Sequence, residues 1–164
     1  MKARLNAFEE DQARFEITDV EVDFDRDSVL NAIAQLQQEL DDDEHGYYDS
    51  HCIELEVQDG KDYYCERIFS DDGAQEFEEI SDKMQIVKYV RDAFGPNSVR
   101  VITNALYLDV GIYRFYVVYK ENEKVVYLND QTPYNRMFGM HGKHSKNVRH
   151  DEIVPYLAEL VNKE

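Results

Sequence analysis

The chain has 164 residues, with 35 Asp plus Glu against 18 Lys plus Arg, which gives a formal charge of −17 and a pI near 4.6. A phosphate backbone is held by many Lys and Arg contacts, so this balance excludes a general nucleic-acid or anionic-membrane binder. With 43% hydrophobic and 12% aromatic residues, and only seven Gly and three Pro, the composition also excludes a disordered chain and predicts one folded domain with a real core.

Met1 to Glu16 contains no apolar run and is interrupted by Glu9, Glu10 and Asp11, so no signal peptide is expected. No stretch approaches the ~18 apolar residues of a membrane span. The expectation is a soluble, cytoplasmic protein in which Cys52 and Cys65 are idle or buried thiols. If Asp59-Gly60 forms a two-residue turn, Glu54 faces Cys65 and Cys52 lies only diagonally from it, a poor arrangement for a disulfide.

In chain order, Met1 to Arg14 shows weak helical spacing through Leu5 and Phe8, and Phe15 to Phe24 alternates in pieces, as a strand with a bulge near Asp19 does. After a cap at Asp27 or Ser28, the spacing of Val29, Ile33, Leu36 and Leu40 predicts a helix over 28–41, running into the acidic tetrad Asp41, Asp42, Asp43 and Glu44. Four acids oppose the helix dipole there and do not serve helix stability. Ile53, Leu55 and Val57 alternate with Cys52, Glu54 and Glu56 and begin a hairpin over 51–69, one face apolar and the other acidic. Residues 74–80 read equally as helix or strand, whereas Ile80, Met84, Val87, Val90 and Phe94, followed by Gly95-Pro96, predict a helix over 81–94.

Three segments rich in β-branched and aromatic residues, Val99 to Leu108, Ile112 to Tyr119 and Lys124 to Leu128, predict a meander over 98–128. A loop over 131–150 without a single acidic residue follows, and an amphipathic helix over 151–162 closes the pattern. The expected fold is a single α+β domain over 1–164, one antiparallel sheet packed against three or four helices.

Charge is unevenly spread. Residues 1–82 hold 26 acids and 6 bases, net −20, and the rest hold 9 acids and 12 bases, net +3. The acids fall in clusters, among them Asp23, Asp25 and Asp27. This triplet is followed by Ser28 where a calcium loop needs Gly, and the twelfth position is Ala34 rather than Glu, so no metal site is predicted. Solvated faces explain such clusters without any function. The functional reading is that carboxylates with roughly phosphate-like spacing meet a basic groove, with tyrosines as anchors. On that reading the partner-binding residues are Asp41, Asp42, Asp43, Glu44, Tyr47, Tyr48, Asp49, Glu54, Glu56 and Tyr63.

The loop carries three of the five histidines, and Arg136, His141, Lys143, His144, Arg149 and His150 form an alternative site. A zinc reading lacks Cys ligands or a His pair on a helix, and a phosphate-ester reading would pair a His with a carboxylate beside Lys143 and Arg149. No Gly-rich phosphate loop, nucleophile elbow, H-E-x-x-H or C-x-x-C is present. The sequence therefore predicts no catalytic residues and no cofactor. It predicts an acidic inhibitor that docks on a basic, nucleic-acid-binding protein such as a nuclease or toxin, of the toxin-immunity or phage anti-defence kind. It predicts no contact with nucleic acid itself or with membrane. The alternative is a small enzyme or ligand-binding domain that uses the 131–150 loop on a phosphorylated small molecule, and a homodimer through a Tyr-rich sheet face is a third reading.

Overall fold

The computed structural model of the protein describes residues 1–9, 15–41, 51–121, 123–132 and 142–163. The chain divides into two compact units, Met1–Ile80 and Ser81–Glu164. The boundary lies two residues from the point at which the charge of the sequence changes sign. The fold is α+β, and the single antiparallel sheet expected from the sequence is in fact two antiparallel sheets, one in each unit. Among the described residues, no helix is long and apolar enough to cross a membrane.

The first unit contains β1 (Lys2–Glu9), β2 (Phe15–Asp23), α1 (Arg26–Asp41), β3 (His51–Asp59) and β4 (Asp62–Arg67), with the sheet ordered β2-β1-β3-β4. The segment expected to show helical spacing is a strand, because Ala3, Leu5 and Ala7 alternate with Lys2, Arg4 and Asn6 and all three are buried. The bulge in β2 falls at Ile17, since Ala7 pairs with Thr18 and Phe8 with Glu16. Val29, Ile33, Leu36 and Leu40 of α1 are buried, as are the apolar residues of one sheet face, Ala3, Leu5, Ala7, Ile53, Leu55 and Val57, and α1 contacts β1 and β2. The helix is capped two or three residues earlier than expected, by Asp25, whose carboxylate accepts the backbone N–H and the hydroxyl of Ser28, each at 2.9 Å.

The hairpin register also differs by two residues. Asp59 pairs with Asp62 and Glu54 with Arg67, so the turn is Gly60-Lys61 rather than Asp59-Gly60. Gly60 has φ +60 and occupies the first central position, where a type II′ turn takes glycine. The shift moves Cys65 from Glu54 to Glu56 as its cross-strand partner, and both cysteines are free.

Helix α2 (Ala74–Phe94) starts in the first unit and ends in the second, which resolves residues 74–80 as helix. Its start is built by Ser70 to Gly73. The Ser70 hydroxyl accepts the Gly73 N–H at 3.0 Å and donates to the Glu76 carboxylate, and Asp72 accepts the Ala74 N–H at 2.9 Å. Phe77 stacks at a tilt on Phe24, with ring centroids 4.9 Å apart.

The second unit contains β5 (Val99–Ile102), β6 (Ala105–Val110), β7 (Tyr113–Tyr119), β8 (Val125–Asp130), β9 (Lys146–Arg149) and α3 (Ile153–Asn162), with the strands paired in sequence order. The first expected meander strand is two strands. Thr103 and Asn104 both adopt positive φ between Ile102 and Ala105, a type I′ geometry without the usual Gly. The expected loop over 131–150 contributes β9 to the sheet, and α3 begins at Ile153 after a short 3-10 turn over His150–Glu152. Tyr156 of α3 lies edge-on to buried Phe115, and Arg91 of α2 donates to the Val99 carbonyl at 2.9 Å.

Gly73 packs directly against α1. It has φ +81, and a Cβ placed there would lie 2.3 Å from Ile33 Cδ1. Gly73→Ala should therefore cost about 1–3 kcal/mol in urea unfolding of the full chain, whereas unchanged stability would show that the Ile33 side chain and the turn yield freely.

Candidate partner-binding face

In the first sheet, strand alternation separates two chemistries. One face carries the buried aliphatic residues, and the other carries rows of charge. Across the strands, Arg4 is flanked by Glu21 and Glu56, Asn6 by Asp19 and Glu54, and Phe8 by Glu16 and Cys52, while Lys2 lies opposite Asp23. β4 adds Tyr63 opposite Gln58, Cys65 opposite Glu56, and Arg67 opposite Glu54. Among the described residues this outer face holds six carboxylates, Glu16, Asp19, Glu21, Asp23, Glu54 and Glu56, against three cations, Lys2, Arg4 and Arg67. The four carboxylates on β2 are exposed and the two on β3 are half-buried.

Local bonds hold part of this array. Lys2 Nζ lies 2.6 Å from Asp23 Oδ1, and their hydrogen bond raises the Lys2 ammonium and lowers the Asp23 carboxyl in pKa. The Tyr63 hydroxyl donates to Glu56 Oε1 at 2.6 Å, and the Cys65 thiol donates to Glu54 Oε2 at 3.3 Å. Burial first, and then the bond to Glu56, push the Tyr63 phenol well above its ordinary range. Burial and then the bond to Glu54 push the Cys65 thiol up to about 12. Both groups therefore stay protonated at neutral pH and act as donors that orient Glu54 and Glu56.

Two shallow depressions, of about 400 and 530 Å³, lie on this face and share Arg4 and Glu56. At its edge the backbone pairing continues past β4, with Ile68 N–H donating to the Ile53 carbonyl at 2.8 Å. Phe69 follows, 80% exposed, with the Arg67 guanidinium 5.6 Å from its ring centre.

The structure thus brings together Glu54, Glu56 and Tyr63 of the sequence-predicted site. Asp41 is elsewhere, as the last residue of α1, with its carboxylate 3.8 Å from His51 Nε2. Asp42, Asp43, Glu44, Tyr47, Tyr48 and Asp49 lie outside the described residues. Sequence reasoning missed Glu16, Asp19 and Glu21 as members of the face and treated Asp23 only as part of a metal-like triplet. The signal was the alternation Asp19, Glu21, Asp23 along one strand. Asp25, by contrast, caps α1.

Four residues of the alternative site are described, and they lie in two pairs. Lys143 and His144 precede β9 and Arg149 and His150 end it, so the strand alone separates them by about 10 Å. At the first end, the fully buried Asp130 carboxylate accepts the Thr132 N–H at 2.9 Å and the His144 N–H at 3.0 Å, and Tyr156 donates to the His144 carbonyl at 2.6 Å. At the other end, Arg149 pairs with Asp151 at 3.0 Å, and the His150 N–H donates to the Lys124 carbonyl at 3.1 Å. Arg136 and His141 lie outside the described residues, and among those described no three His, Cys, Asp or Glu side chains are grouped to hold a metal.

Comparisons with protein families, with curated proteins and with solved structures find no match for this chain.

The protonated thiol on the acidic face has a chemical signature. With Cys52 replaced by Ala, Cys65 should react with a thiol reagent at about pH 8 at least a hundredfold more slowly than a model thiol, because so little thiolate is present. Glu54→Gln should raise the rate. The same groups predict that stability falls above about pH 9, because the unfolded chain releases protons from Cys65 and Tyr63 that the fold retains. A thiol as reactive as the model compound would contradict this picture of the face.

Proposed function

We propose that the outer face of the first sheet docks on a basic protein partner, and that the chain is a non-catalytic inhibitor whose partner is itself a nucleic-acid-binding protein such as a nuclease or toxin. The reading rests chiefly on one observation, the excess of six carboxylates over three cations on the outer face of the sheet, with the four on β2 exposed. The carboxylates follow one another along β2 and along β3, on either side of β1, and a partner rich in Lys and Arg relieves the repulsion within this excess on binding. Carboxylates fixed on a rigid sheet are already oriented, so little ordering entropy opposes association. Phe69, exposed beside Arg67, supplies an aromatic anchor that charge alone lacks.

A chain of this kind occupies the groove through which its target would hold nucleic acid, as toxin-immunity proteins and phage anti-defence proteins do in principle. Nucleic acid and anionic membrane are repelled by the same face. A cytoplasmic setting fits the two free cysteines. The alternative, an enzyme or ligand-binding domain built on the His-bearing segment, draws less support because His144 and His150 flank opposite ends of β9.

The test is affinity capture with wild-type protein and with a Glu16→Lys, Asp19→Lys, Glu21→Lys variant as bait, washed from about 50 to about 500 mM salt. The expected outcome is a basic protein that is held at low salt, released steeply as salt rises, displaced by duplex DNA, and not retained by the variant. Retention indifferent to salt, or equal on the charge-reversed bait, would overturn the proposal.

A further inference from the structure

The second sheet turns a very different surface outward. Tyr107 and Tyr116 lie opposite each other on β6 and β7 with ring centroids 5.3 Å apart, and Val118 pairs with Tyr127 on β8. Ile102 of β5 shares this face, at 53% exposure, and Val118 is 37% exposed. The face carries three arginines, Arg100, Arg114 and Arg149, against one carboxylate, Asp109, with Asp151 of the following turn beside it. Arg100 Nε and Arg114 Nε share the Asp109 carboxylate at 3.0 and 2.8 Å, the Arg100 guanidinium lies 5.2 Å from the Tyr107 ring centre, and Arg149 pairs with Asp151. An aromatic face without acidic excess contrasts with the net charge of −17 and with the outer face of the first sheet.

We propose that two copies of this chain associate through the outer face of the second sheet. Two bodies of charge −17 repel, so they meet at lowest cost where neither brings acidic excess. Tyr and Arg around exposed aliphatic side chains are the composition that interface centres favour. A two-fold axis would bring the same patch of each copy together. Its size limits the affinity. Five strands of four to seven residues give a footprint of about 20 by 20 Å, roughly half of what each partner buries in a standard interface. The dimer is accordingly weak, with a dissociation constant in the micromolar range or above.

The sign of the salt effect distinguishes this association from docking of a basic partner. Salt screens the net repulsion between copies and strengthens the dimer, whereas it weakens attraction between opposite charges. Sedimentation velocity of the full chain over a wide concentration range should show self-association that increases as salt rises from about 50 to about 500 mM. Val118→Glu and Tyr107→Ala, both checked for intact fold by circular dichroism, should leave the chain monomeric at concentrations where wild type associates. A monomer at every concentration and salt, association that weakens with salt, or both variants associating as wild type does would overturn the proposal.

Discussion

The two-residue period of the first sheet is the constraint on which the rest depends. Residues 1–80 carry 25 acids and 6 bases, and a slip of β2 or β3 by one residue would drive its outer-face acids into the apolar layer that includes the buried face of α1. The bulge at Ile17 shows how closely phase is kept. Glu16 and Asp19 are three apart, so in an unbroken strand they would point to opposite faces, and the extra residue puts both on the outer one. The Gly60 turn does the same for the hairpin, setting Glu54 and Glu56 beside Arg67 and Cys65. The acidic face is thus a consequence of how the core is kept apolar, and its concentration on one side makes it a surface.

Charge and fold divide the chain at nearly the same place. The first unit ends at Ile80, and beyond it the balance turns slightly basic. The two sheets consequently expose contrasting chemistry, one with more carboxylates than cations and the other with tyrosines beside arginines that pair with Asp109 and Asp151. One surface is suited to long-range attraction of a basic partner, and the other to short-range packing.

Much of this was legible in the residues. The stripes of α1 and α2, the apolar and acidic faces of β3 and the split of charge follow from periodicity alone. β1 is obscured because its inward residues are Ala3, Leu5, Ala7 and Glu9, of which only Leu5 carries a strong hydrophobic signal, while Leu5 and Phe8 happen to lie at helical spacing. The β3–β4 register was misjudged because Asp-Gly usually fills the two central turn positions, and here Gly60 is followed by Lys61. Thr103-Asn104 lacks the Gly that marks a tight turn, and the alternation of β9 is only four residues long. Of the site, Glu54, Glu56 and Tyr63 were readable from their own strands. The alternation of Asp19, Glu21 and Asp23 marks one face of β2, but only pairing with β1 joins that face to Glu54 and Glu56, and the bulge that adds Glu16 lies at Ile17 rather than near Asp19.

An acidic face retained for binding should cost the free protein stability through its own repulsion. The most direct measurement is the thermal midpoint of a Glu16→Gln, Asp19→Asn variant beside wild type at low and high salt. The account predicts that the variant melts higher at about 50 mM salt and that the difference closes near about 500 mM, where the repulsion is screened. A variant that melts lower than wild type at both concentrations would show that these carboxylates stabilise the fold, and would contradict the claim that the face is held in reserve for a partner.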